Sequence, residues 1–120
     1  MTNYSGFKPD GEIVIISDPV DFRMSVNGLT AYVQEILKVD PFSKTCFIFC
    51  NKARNKLKIV HWDFNGFWLH YKRLEKDKFV WPSNEISQYN ISEKQYNWLM
   101  NGLSINQRDG FEEVLISKVI

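Results

Sequence analysis

The stretch LKIVHWDFNGFWLHYKRLEKDKFVWP, Leu57 to Pro82, decides the fold. It holds Trp62, Trp68 and Trp81, three of the four tryptophans, and the densest alternation of aromatic and basic residues in the chain. Two runs that read as strands flank the turn signal Asp63-Phe64-Asn65-Gly66. Leu, His, Lys and Glu within residues 67–76 also tolerate a helix, but Asn65-Gly66 is a hairpin signal and favours a strand. A hairpin centred on Asn65 sets Lys58 opposite Tyr71 and Lys56 opposite Arg73, so three cations and a phenol share one face near its open end. Like charges facing one another are unfavourable unless a polyanion or acidic side chains lie over them. A phosphate backbone suits such a face, since lysine and arginine neutralise phosphates and aromatic rings stack on exposed bases. The alternative is a solvated edge whose lysines keep the sheet from aggregating.

Working outward, Thr45–Cys50 reads as a strand, residues 51–55 (NKARN) as a polar loop, and Lys56–Trp62 and Phe67–Leu74 as the two hairpin strands. Glu75-Lys76-Asp77 turns the chain into a further strand at Lys78–Trp81. Upstream, Glu12–Ser17 is a short β-branched apolar run ended by Asp18-Pro19. Val26, Leu29, Val33, Ile36 and Leu37 fall at helical spacing, with Ser25 as N-cap, or Asp21 for an earlier start, and Asp40-Pro41 as the stop. Gly28 inside this helix implies close packing against a neighbouring element, because glycine there costs up to ~1 kcal/mol relative to alanine. Downstream, Ile86–Asn90 reads as an edge strand. Ser92 and Gln95 form a capping-box pattern for a second helix lined by Tyr96, Leu99 and Met100 and stopped by Gly102.

The expected architecture is therefore α+β: a single domain with an antiparallel β-meander of about four to six strands packed against two helices. Residues 1–11, broken by Gly6, Pro9 and Gly11, read as a flexible N-terminus, residues 12–104 as the domain, and residues 105–120, ending FEEVLISKVI, as a divergent tail. A chain of 120 residues is long enough for one core without metal or disulfide staples.

Charge is segregated. Residues 44–80 carry nine basic side chains against three acidic, and the rest of the chain six against eleven, so a net charge of +1 conceals a basic island in an acidic chain. Solvated partner charges from the acidic ends are the bland account of the same pattern. Cys46 and Cys50 lie on one face of a strand with α-carbons about 13 Å apart at ~3.3 Å per residue, beyond disulfide reach. Both read as core thiols of a reducing, cytoplasmic setting. The polar start, MTNYSGFKPDGE, does not read as a signal peptide, and no apolar run approaches the ~20 residues needed to span a bilayer.

Catalytic signatures are missing: there is no G-x-S-x-G, P-loop or H-E-x-x-H, and the basic segment offers only Asp63, Glu75 and Asp77 to hold metals for phosphoryl transfer. His61 and His70 with Cys46 and Cys50 match no zinc spacing and read as sheet histidines. No enzyme activity, metal or cofactor is expected.

Several spaced motifs, in order, then carry a resemblance. K-I-V-H-W-D-x-N-G-F-W at Lys58–Trp68, Y-K-R-L-E-K at Tyr71–Lys76 and F-V-W-P at Phe79–Pro82 join D-F-R-M at Asp21–Met24, N-G-L at Asn27–Leu29, V-Q-E-I-L at Val33–Leu37 and D-P-F-S at Asp40–Ser43. Ile91–Leu103 adds I-S-x-x-Q…L-x-x-G-L. Over residues 12–104 the chain resembles the small TnpB, or Orf2-like, accessory proteins of IS66 insertion sequences. Two departures stand out: Asp77 occupies the place of a usual glycine in the turn E-K-G-R-F, and the tail after Gln107 differs from the basic, proline-containing family ending. The resemblance implies a non-catalytic role in transposition beside a separate, larger transposase. The first expectation is DNA binding, at the element ends, through Lys52, Arg54, Lys56, Lys58, Tyr71, Lys72, Arg73, Lys76 and Lys78. The alternative is an adaptor for the transposase, anchored by Phe67, Trp68 and Trp81.

Overall fold

Thr45–Cys50 (β2) is buried along its whole length at the centre of a five-stranded sheet in the computed structural model, which describes residues 4–107. Its continuous apolar run, TCFIFC, is what a strand covered on both faces requires. Glu12–Ile16 (β1) pairs with it in parallel, Val14 opposite Phe47, and Lys56–Asp63 (β3) in antiparallel fashion, Ile48 opposite Ile59. Gly66–Arg73 (β4) and Gln88–Ile91 (β5) form the two edges, giving the order β4-β3-β2-β1-β5. The fold is α+β, and β2-β3-β4 is the expected antiparallel meander. The parallel β1–β2 pair comes from the long 17–44 crossover, which carries the first helix.

Val26–Ala31 (α1) starts after Ser25 and runs into a π-helical stretch, Tyr32–Ile36, in which Leu37 N–H donates to Tyr32 O. The helix ends before Asp40-Pro41 because Lys38 adopts a left-handed conformation (φ 59°). Gly28 packs tightly, but against Met24 just ahead of its own helix rather than a neighbouring element: a Cβ added there would lie 3.3 Å from the Met24 Cβ. Leu29 and Val33 of this segment join Val14, Ile16, Phe47, Phe49 and Val60 in the core on one sheet face. Each such fully buried side chain contributes roughly 1.5–3 kcal/mol.

Glu93–Met100 (α2) covers the other face with Tyr96, Leu99 and Met100 against Ile15, Ile48 and Ile59. The capping box is complete: Gln95 N–H donates to Ser92 Oγ (3.1 Å), and Ser92 N–H to Gln95 Oε1 (2.9 Å). Gly102 (φ 85°) ends the helix, its N–H on Leu99 O and that of Leu103 on Trp98 O, the pairing of a Schellman cap. Cys46 and Cys50 lie in this core as free thiols; burial pushes both up to about 12.

One expectation is corrected. Residues 78–81 form no strand: Asp77 (φ 67°) turns the chain off the β4 edge, and Phe79 and Trp81 enter the α2-side core. Residues 4–11 are docked, with Phe7 over the rings of His61 and His70 and Pro9 buried, because aromatic side chains anchor a segment that glycine and proline keep irregular. Ile105 packs into the same core. The FEEVLISKVI segment lies outside the described residues, as do residues 1–3.

Candidate nucleic-acid interface

The β3–β4 hairpin has the register its turn dictates, with Lys58 opposite Tyr71 and Lys56 opposite Arg73. Strand alternation sends Lys56, Lys58, Tyr71 and Arg73 to the α1 side and Lys72 to the α2 side. At the open end, the 51–55 loop is braced by one side chain. Asn51 Oδ1 accepts from the N–H of Asn55 (3.1 Å) and Lys56 (3.0 Å), and Asn51 Nδ2 donates to Asn55 Oδ1 (2.8 Å). That brace leaves Lys52 and Arg54 exposed, Arg54 in a left-handed conformation (φ 64°). Leu74 N–H donates to Asn55 O (2.8 Å) and Phe79 N–H to Arg54 O (2.7 Å), so the segment bearing Lys76 and Lys78 is tied to the same loop. Lys52, Arg54, Lys56, Lys72, Arg73, Lys76 and Lys78 thus gather around one end of the sheet. Arg73 alone among them bonds a carboxylate within the described residues, Glu75 at 2.9 Å; both groups are exposed, and such a pair exchanges readily for a phosphate.

Lys58 does not belong to that set. Its ammonium donates to Phe22 O (3.0 Å) and Met24 O (2.8 Å) and sits 4.9 Å from the Phe22 ring centroid. Desolvation pulls its pKa below the usual lysine value, against the opposing pull of Asp21. It staples the start of the crossover to the sheet. Tyr71 is exposed, with its ring edge-on to Phe22 at 6.3 Å.

The three aromatic anchors separate as well. Trp81 is 7% exposed and its indole N–H donates to Ile16 O (3.1 Å), so it is a core residue and cannot serve as an exposed anchor. Phe67 is half-buried among Trp62 and Phe42. Trp68 is exposed, with its indole N–H on Asp63 Oδ2 (3.0 Å). The residue that sequence reading missed is Phe64 at the hairpin tip, 89% exposed with φ 53°. A large aromatic in the turn position that glycine prefers was the available signal.

His61 and His70 form a pair on the α2 side, Nε2 to Nε2 at 3.0 Å, with rings nearly parallel (8°) and centroids 5.1 Å apart. With the centroids that far apart the nitrogens meet nearly head-on, which suits one shared proton. Burial lowers both pKa values, with Asp63 and Asp10 opposing at His61 and the His61 charge adding to the shift at His70. Among the described residues no three His, Cys, Asp or Glu side chains are grouped to hold a metal ion, and no helix is long and apolar enough to cross a membrane.

The fold and this end of the sheet define a small mixed-sheet domain with a segregated basic rim. Residues 11–110 match the family described as IS66 Orf2 like protein, and the chain belongs to that family. It is accordingly an accessory protein of IS66 transposition, from a family not known to be catalytic. Two Sinorhizobium fredii (strain NBRC 101917 / NGR234) proteins are similar to it. Uncharacterized protein y4jC is 35% identical over 91 residues, 76% of this chain and 78% of that protein. Uncharacterized protein y4hO is 35% identical over 98 residues, covering 79% and 85%. No solved structure matches the chain.

Proposed function

We propose that the chain serves transposition by binding DNA of the element ends through the basic rim: Lys52, Arg54, Lys56, Lys72, Arg73, Lys76 and Lys78. The observation that carries this reading is the convergence of these cations from three segments onto one end of the sheet. Six of them are free of carboxylate partners among the described residues. Lysines positioned this way fix a phosphate backbone in register rather than read bases. Fluorescence anisotropy with element-end DNA across a salt series tests it. Affinity falls with salt by ~0.9 log units per log unit for each phosphate contacted, and alanine at Lys52, Arg54 and Lys56 flattens that slope. Absent or salt-independent binding refutes it.

A second reading, an adaptor for the element's separate transposase, is favoured by the opposite end of the hairpin. Phe64, Trp68 and Phe42 are exposed there, Phe64 at the tip, Phe42 on the α1 side and Trp68 on the α2 side. Aromatic side chains of this kind anchor protein interfaces. Co-purification with the transposase at high salt, lost on Phe64→Ala, supports it; a complex indifferent to that change argues against it.

A further inference from the structure

On the α2 side, behind the rim, lies an open cleft of about 530 Å³ whose walls include Lys72, Lys76 and Lys78 and whose apolar floor is Leu74 and Met100. That volume falls in the range of small-molecule sites, ~300–1,000 Å³. Its lysines come from two elements: Lys72 from β4, and Lys76 and Lys78 from the segment after it. Lys72 is held in place, its ammonium 5.7 Å from the centroid of the Tyr4 ring. Tyr4 is itself fixed, its N–H on Asn101 Oδ1 (2.8 Å) and its hydroxyl on Phe7 O (3.0 Å). Lys76 and Lys78 bond no carboxylate within the described residues; Asp77, between them, is the one acid on the rim of the cleft.

Two features separate this cleft from a ridge that merely tracks a duplex. It is concave, and it has an apolar floor. A phosphate gains nothing from Leu74 and Met100, whereas the flat face of a base buries apolar surface against them. We propose that the cleft takes one unpaired nucleotide of a DNA strand, its phosphate among the ammonium groups of Lys72, Lys76 and Lys78 and its base over the Leu74–Met100 floor. The inference rests on the DNA-binding reading and adds to it a preference for strand ends and unpaired positions over continuous duplex.

Anisotropy with a blunt duplex and with the same duplex bearing a short single-stranded overhang tests it. The expected result is roughly tenfold tighter binding of the overhang substrate, the scale of burying one base face against apolar side chains. Thymidine monophosphate competes against the overhang substrate and not against the blunt one. Lys76→Ala with Lys78→Ala, both at exposed loop positions, removes the preference. Asp77→Asn, which keeps a residue type tolerant of the left-handed conformation, enlarges it. Equal, salt-dependent binding of both substrates by the unaltered protein overturns the cleft and leaves the basic rim standing. So does a preference that survives the paired Lys76→Ala and Lys78→Ala change. No binding of either substrate overturns both readings.

Discussion

Lys56 and Lys58 lie two residues apart on the same face of β3, yet their replacement has opposite consequences. Lys58→Met removes an ammonium that donates to Phe22 O and Met24 O, at 3.0 and 2.8 Å. Bonds from a charged donor contribute ~1.5–3 kcal/mol each when buried, and discounting for the half-exposed position leaves a combined loss of about 2 kcal/mol. For a chain of this size that lowers the melting temperature by roughly 6–12 °C. The DNA salt slope stays unchanged, because this cation is already committed to backbone carbonyls. Lys56→Met does the reverse: stability holds within ~0.5 kcal/mol, as for surface changes in general, and the slope falls by ~0.9 for one lost phosphate contact. Urea melts followed by tryptophan fluorescence, with anisotropy at several salt concentrations, separate the two. A Lys58→Met protein that melts like the parent and loses slope as Lys56→Met does refutes the assignment.

The His61–His70 pair makes stability depend on pH in a defined direction. Free imidazoles titrate near 6.5 and both folded ones lower, so in that window the unfolded chain holds more protons; the urea midpoint falls as pH drops below 6.5 and is flat above it. A midpoint unchanged between neutral and mildly acidic pH contradicts the desolvation of the pair. Cys46 and Cys50, buried with thiols pushed up to about 12, stay unreactive toward a thiol reagent at mildly alkaline pH, and both react in urea. Rapid labelling of the native protein counts against the burial described. Phe64→Gly relieves a left-handed conformation costing ~1–2 kcal/mol and gives back ~0.5–1 kcal/mol of chain entropy, a net gain of about 0.5–1 kcal/mol measured by urea melts; a loss of stability means the ring packs on something in solution.

Local signals survived into the structure. The hairpin signal around Asn65 placed the turn, and the two-residue loop Phe64-Asn65, with Asp63 opposite Gly66, carries the pairing through eight residues on each side. Ser92, Gln95 and Gly102 wrote both ends of α2 in side-chain chemistry confined to a few residues. What failed was non-local. The run at Phe79–Trp81 has the composition of a strand, and whether it pairs or folds onto the sheet face depends on an edge partner and on the conformation of Asp77. Trp68 and Trp81 look alike in sequence, each between two apolar neighbours; one ends 54% exposed and the other in the core. The parallel β1–β2 pair, separated by the whole crossover, leaves no mark on either strand's own residues.

The same limit explains which cations are free. Strand alternation assigns a lysine to a face, but its freedom depends on what docks there. The carbonyls that hold Lys58 belong to residues 36 and 34 positions away. Lys72 is turned to the opposite face, where Tyr4, from a segment whose glycines and proline suggested fraying, lies against it. Aromatic residues at Tyr4 and Phe7, spaced to reach one surface, were the signal that the segment docks. Once it does, the hairpin has two chemically distinct ends, lysines and arginines at the open one and Phe64 at the closed one. Strands of eight residues at ~3.3 Å each hold these about 23 Å apart. At that distance a phosphate backbone and an apolar partner do not compete for the same surface, so contact with DNA and with a transposase are compatible roles for a single copy of the chain.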